Sequence, residues 1–154
     1  MAHEGEHKQN DFTAGNAVLD LANHVFTITD NTNKFPEYTQ TERVTQDGKT
    51  IVTLVMRSDS LVNRVRDQAY SAFLKTFKAN GIDLRKEPER KSERLRLQSE
   101  AIELCDEHLA AIQLCRKHFH LSSKKIKHWG DLTRKAKNLL IAWHDSDKVR
   151  FKNI

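Results

Sequence analysis

The sequence predicts an all-α fold, an antiparallel up-down-up-down four-helix bundle with a β-hairpin inserted between helices 1 and 2. Three observations predict it. Gly and Pro number only five and two in 154 residues, beside abundant Leu, Ala, Lys, Arg and Glu, a composition that favours long helices. Apolar residues recur at steps of three and four along four separate stretches. Between the first two stretches, β-branched residues flank an Asp-Gly pair, a strong short-range hairpin signal.

The first helix is read from about Ala14 to Asn31. Its stripe is Val18, Leu21, Val25 and Ile28, and Phe35-Pro36 ends the element. Residues 37–56 hold the hairpin, with Thr39, Thr41, Val44 and Thr45 before Asp47-Gly48 and Thr50 to Val55 after it. A lone hairpin is marginal in water, so it is expected to lean on the helices or pair with a neighbouring subunit. Ser58 or Asp59 is the expected cap of the second helix. Its stripe is Leu61/Val62, Val65, Ala69, Ala72/Phe73 and Thr76/Phe77, with Asn80-Gly81 as a left-handed stop.

Pro88 fits the first turn of the third helix. Leu95, Ile102, Cys105, Leu109, Ile112 and Phe119 line one side of it, and Leu97, Leu104 and Leu114 broaden the apolar surface beyond one neighbour. The fourth helix, capped by Ser122 or Ser123, has the cleanest seam: Ile126, Trp129, Thr133, Ala136, Leu140 and Trp143. The chain thus divides into a disordered segment 1–13, the bundle 14–145 and a loose charged tail 146–154.

Charge is unevenly spread. Residues 1–60 carry net −4, residues 61–115 net +1 and residues 116–154 net +8. His118, His120, His128 and His144 add to the last zone on acidification. A zone this basic points to a polyanionic partner, most often nucleic acid; a lysine-rich solvated face is the alternative. Lys124, Lys125, Lys127, Arg134, Lys135 and Lys137 stand off the fourth helix's seam and are the expected phosphate contacts, with Arg64, Arg66 and Arg94 in second place. Trp129 and Trp143 sit on the seam, so packing explains them better than base stacking.

Catalytic and cofactor signals are weak. There is no Gly-rich phosphate loop, nucleophile elbow or HExxH pattern, and the carboxylates show no paired spacing. Cys105, His108, Cys115 and His118 have zinc-like spacing on paper. Ten residues of one helix separate the two pairs by about 15 Å, too far for one ion. A non-catalytic protein without metal or cofactor is expected. No apolar run approaches a membrane span, the N-terminus lacks a signal-peptide pattern, and two cysteines make no disulfide framework, so a cytoplasmic location is the plain reading.

Four features together resemble a family of small bacterial four-helix-bundle proteins. They are Leu21 to Ile28 followed by Asn33-Lys34-Phe35-Pro36, the helix end Phe77-Lys78-Ala79-Asn80, Leu109-x-x-Ile112-x-Leu114-Cys115-Arg116 with Phe119-His120-Leu121-Ser122, and the closing Leu139-Leu140-Ile141-Ala142-Trp143. The family holds the ribosomal-RNA intervening-sequence proteins and the accessory variability determinant (Avd) proteins of diversity-generating retroelements. The likeness spans residues 14–145, and the hairpin departs from it, because the family passes from Phe-Pro directly into the second helix. The resemblance implies a pentameric, non-enzymatic accessory subunit that binds the retroelement's reverse transcriptase and template RNA and supports mutagenic complementary-DNA synthesis. A nucleic-acid-binding bundle of another mobile element, without a polymerase partner, is the alternative. A purely structural or toxin-antitoxin-type interaction module is a third reading.

Overall fold

The computed structural model describes residues 12–31, 34–35, 38–56 and 61–154. Four helices form the bundle: α1 (Thr13–Thr29), α2 (Leu61–Asn80), α3 (Lys91–Phe119) and α4 (Ser123–Arg150). Strands β1 (Tyr38–Val44) and β2 (Thr50–Met56) form an antiparallel hairpin between α1 and α2. A 3-10 turn at Pro88–Arg90 leads into α3. Each helix packs on two others, in the cyclic order α1-α2-α3-α4. Ring contacts fix the directions: Phe12, before α1, meets Phe77 near the end of α2 and Trp143 on the last turns of α4. At the other end Phe35, beyond α1, meets Phe119 at the end of α3 and Trp129 at the start of α4. Neighbouring helices are therefore antiparallel.

The α1 stripe is buried as its spacing demands, with Val18, Leu21 and Val25 in the core. Of the segment 1–13 expected to be disordered, residues 1–11 lie outside the described residues, while Phe12 and Thr13 are ordered. Phe12 folds over Gly15, where an added Cβ would lie 2.2 Å from the Phe12 ring, so only glycine leaves room for it. In α2 the buried residues are Val62, Val65, Ala69, Ala72, Thr76 and Ala79. The expected caps Ser58 and Asp59 lie outside the described residues. Asn80-Gly81 is not a left-handed stop, because neither residue has positive φ. The Gly81 N–H still bonds Phe77 O (3.1 Å) and Ile82 N–H bonds Ala79 O (3.1 Å), so α2 ends in a tightening turn. The left-handed cap is instead His120, at φ 53°, which closes α3 with its N–H on Arg116 O.

The hairpin pairs Val44 with Thr50 around a turn in which Gly48 takes φ +77°. Thr45 accepts from the Gly48 N–H (3.0 Å) and donates to Lys49 O (2.8 Å). Contrary to one expectation, the strands do not lean on the helices: among the described residues they contact only each other. Val44, Ile51 and Val52 are exposed.

The inward face of α3 differs from the expected one. Its buried positions are Arg94, Leu97, Gln98, Ala101, Cys105, His108, Ile112, Cys115 and Phe119. Leu95, Ile102 and Leu109 are only half-buried. The seam is continuous at three-four spacing, but three of its members are polar, so hydrophobicity alone misplaces its centre. Leu97 is buried and Leu104 half-buried, which leaves Leu114 as the exposed one of the three broadening leucines.

Each buried polar side chain has a partner, although one atom, Asp147 Oδ1, is left without one among the described residues. Trp129 Nε1–H donates to His108 Nε2 (2.9 Å), so His108 carries its proton on Nδ1 and donates it to Gln68 Oε1 (2.9 Å). Burial pushes the His108 pKa down to about 4. Because the unfolded chain titrates near 6.5, protons bind it preferentially between these values. His108 should therefore cost the fold nothing above about pH 6.5 and remove about 3 kcal/mol as pH falls to about 4. Urea denaturation of the parent and His108→Gln across that window should show the difference; parallel profiles would contradict it.

The loose tail expected at residues 146–154 is also corrected. α4 continues to Arg150, Asp147 is fully buried, and Phe151 packs with Ala79, Ile82, Leu84 and Leu97 in a second small core. Arg94 Nε donates to Asp147 Oδ2 (2.7 Å), as does Gln98 Nε2 (2.6 Å). Arg94 also donates to Ile82 O (2.7 Å) and lies over the Trp143 and Phe151 rings. His144 Nδ1–H donates to Gln98 Oε1 (2.8 Å). No helix among the described residues is long and apolar enough to cross a membrane.

Candidate nucleic-acid interface

Antiparallel packing brings the C-terminal ends of α1 and α3 beside the N-terminal ends of α2 and α4. That end of the bundle collects positive charge from four separate stretches. Lys34 follows α1, Arg64 and Arg66 open α2, Arg116 and Lys117 close α3, and Lys124, Lys125 and Lys127 open α4. The first turn of α4 holds no acidic residue, so its lysines and the positive end of the helix dipole reinforce one another. Ser122 caps the helix by accepting the Lys125 N–H (3.3 Å).

The individual candidates separate clearly. Lys124, Lys125 and Lys135 are exposed and have no ion pair among the described residues. Lys127 and Arg134 are exposed but share Asp131, at 2.7 and 2.8 Å, and together hold its carboxyl down at about 2. Such exposed pairs are weak and leave both cations free to reach a phosphate. Lys137 turns toward α3 and bonds Asp106 (2.5 Å). Arg66 is committed to the α1–α2 junction: its Nε donates to Thr29 Oγ1 (2.7 Å), Nη2 reaches Asp30 (3.4 Å), and its guanidinium lies over Phe26. Arg64 is exposed on the same helix end. Arg94 is removed from the candidates, since it is buried at the far end of the bundle and paired with Asp147.

The end also carries a cavity of about 560 Å³ between α1 and the start of α4. Ile28, Phe35, Leu121 and Trp129 give it an apolar floor; Lys34, Lys124 and Lys125 stand among its polar lining. His24 and His128 meet edge-to-face over it, 4.9 Å apart. Burial, and secondarily His128, lowers the His24 pKa, so His24 is neutral at pH 7. A smaller cleft shares Lys34, Leu121, Ser122 and Lys125 and adds His120, whose left-handed backbone makes the α3–α4 corner.

Sequence reasoning left Lys34, His24 and Arg116 out of the site. Lys34 and Lys124 are ninety positions apart, and only the α1–α4 pairing makes them neighbours. No group of three His, Cys, Asp or Glu side chains among the described residues could hold a metal ion. Cys105 and Cys115 are buried with pKa values pushed up to about 12, which makes them packing residues and poor nucleophiles. The chain matches no family model, no curated protein and no solved structure.

Proposed function

We propose that this protein is a non-catalytic RNA-binding accessory subunit of a diversity-generating retroelement. It would hold the template RNA against its basic end, bind the reverse transcriptase, and support mutagenic complementary-DNA synthesis as a homo-oligomer, a pentamer by the resemblance described above. The observation that carries the RNA-binding part is the convergence of cations from four chain segments on one end of the bundle, with Lys124 and Lys125 there, and Lys135 about three turns further along α4, unpaired among the described residues. Contacts of this kind track phosphates without reading sequence, which suits a scaffold. A ring of subunits would multiply the field.

Two further features support an assembly. Leu19 and Phe26, two turns apart on α1, and Tyr70, Leu74 and Phe77 on α2 are exposed on adjacent helices, giving apolar surface for protein contacts. The hairpin stands apart from the helices with exposed Val44, Ile51 and Val52. Its strand edges are suited to pairing with a second chain.

The decisive experiment is RNA binding by the triple variant Lys124→Glu, Lys125→Glu, Lys135→Glu. All three side chains are exposed, so the unfolding midpoint should match the parent. Affinity for the retroelement's template-region RNA should fall at least about a hundredfold, and the parent's own affinity should drop steeply with added salt. Parent-like binding by the triple variant would reduce the basic end to a solvated face. Co-purification with the reverse transcriptase encoded beside it tests the accessory role.

A further inference from the structure

The cavity at the basic end has two halves with different chemistry. Phe35 and Trp129 close its floor but are only 3% and 1% exposed, so the surface open to a ligand comes from Ile28, Leu121 and the edge-to-face His24–His128 pair. At its mouth stand Lys34, Lys124 and Lys125, none of them paired with a carboxylate among the described residues. A ligand that fits both halves has a flat, largely apolar part and an anionic group attached to it. The volume of about 560 Å³ is within the range of sites for small molecules and is ample for one nucleotide.

We propose that this cavity receives a single unstacked nucleotide of the bound RNA, its base among Ile28, Leu121 and the His24 and His128 imidazoles and its phosphate among Lys34, Lys124 and Lys125. This deepens the RNA-binding reading and rests on it. The consequence is a preference that phosphate contacts alone do not produce: single-stranded segments, whose bases can be turned out, bind better than backbone of the same charge. Base insertion against aromatic side chains contributes about tenfold or more in affinity.

Fluorescence anisotropy with two probes of equal length tests this. One probe is a single-stranded oligoadenylate and the other is a strand with every base removed, so the phosphates are equal in number. The parent should bind the oligoadenylate at least about tenfold more tightly. Thr27 also lines the cavity, and the cavity-filling variant Thr27→Phe should bind both strands at the level of the baseless one. Equal binding of both strands by the parent would overturn the nucleotide pocket while leaving phosphate-driven RNA binding intact. Failure of both strands to bind would overturn both readings. A preference that survives Thr27→Phe would place base recognition elsewhere and overturn the pocket. Should Thr27→Phe fail to fold, photolabelling of the parent with 8-azidoadenosine monophosphate decides the matter. Label within residues 24–35 or 121–129 supports the pocket, and label elsewhere, or none, overturns it.

Discussion

The Asp147→Ala variant is expected to lose about 3–5 kcal/mol of unfolding free energy, because removing one partner of a buried ion pair leaves the other charged and unpaired. Arg94 would be that orphan. Its guanidinium is enclosed by the Trp143 and Phe151 rings and by the Ala79 and Ile82 carbonyls. Gln98 would lose its acceptor in the same step, and through it the orientation of His144 would be released. Replacing both members at once, Arg94→Met with Asp147→Leu, should recover most of the loss, since an apolar pair of similar volume carries no desolvation penalty. Urea denaturation of the two variants and the parent measures this. A loss under about 1 kcal/mol in Asp147→Ala would mean that Arg94 escapes to water and that the far end of the bundle is not closed as described.

Trp129→Ala should be comparably severe, at about 3–5 kcal/mol, by the cost of emptying a large core site. The indole is 1% exposed and packs against Phe35 and His108. Its loss also leaves His108 Nε2 buried without a donor. Trp129→Phe isolates that second contribution, because it keeps the ring and removes the N–H; a loss of about 1–3 kcal/mol is expected for it. Against a total stability of about 5–15 kcal/mol for a domain of this size, Trp129→Ala should show visible unfolding at moderate temperature. Thermal melts of the two variants would expose an error if both matched the parent.

The elements differ in how far local sequence reveals them. α4 was legible because its seam from Ile126 to Leu140 is apolar apart from Thr133 and because a serine, Ser122, stands at its cap. α3 was legible as a helix but not in its orientation. Arg94, Gln98 and His108 occupy seam positions that a hydrophobic count passes over, and their partners Asp147, His144 and Trp129 lie 53, 46 and 21 residues away. The signal that would have found them is spacing without regard to polarity: positions 94, 98, 101, 105, 108, 112, 115 and 119 alternate steps of four and three throughout. The same rule carries α4 past Trp143 to Asp147 and Phe151, where charge suggested a tail. Asn80-Gly81 marks the end of α2 correctly but not its geometry: the helix stops at Asn80 without a left-handed residue, and Ile82 and Leu84 turn into the second core. Of the site, the α4 lysines were readable from composition. The cavity was not, because its walls come from two helices joined only by the fold.

The polar seam between α3 and α4 has a mechanical consequence. An apolar interface tolerates sliding, since one leucine can replace another in the same gap. Here a slip of α4 by one turn, about 5.4 Å, would unseat Asp147 from Arg94, His144 from Gln98 and Trp129 from His108 together. Three interlocks at separate heights leave a single permitted alignment. The two helices therefore behave as one keyed strut, and a load placed on the lysines at one end is transmitted to Phe151 at the other without play.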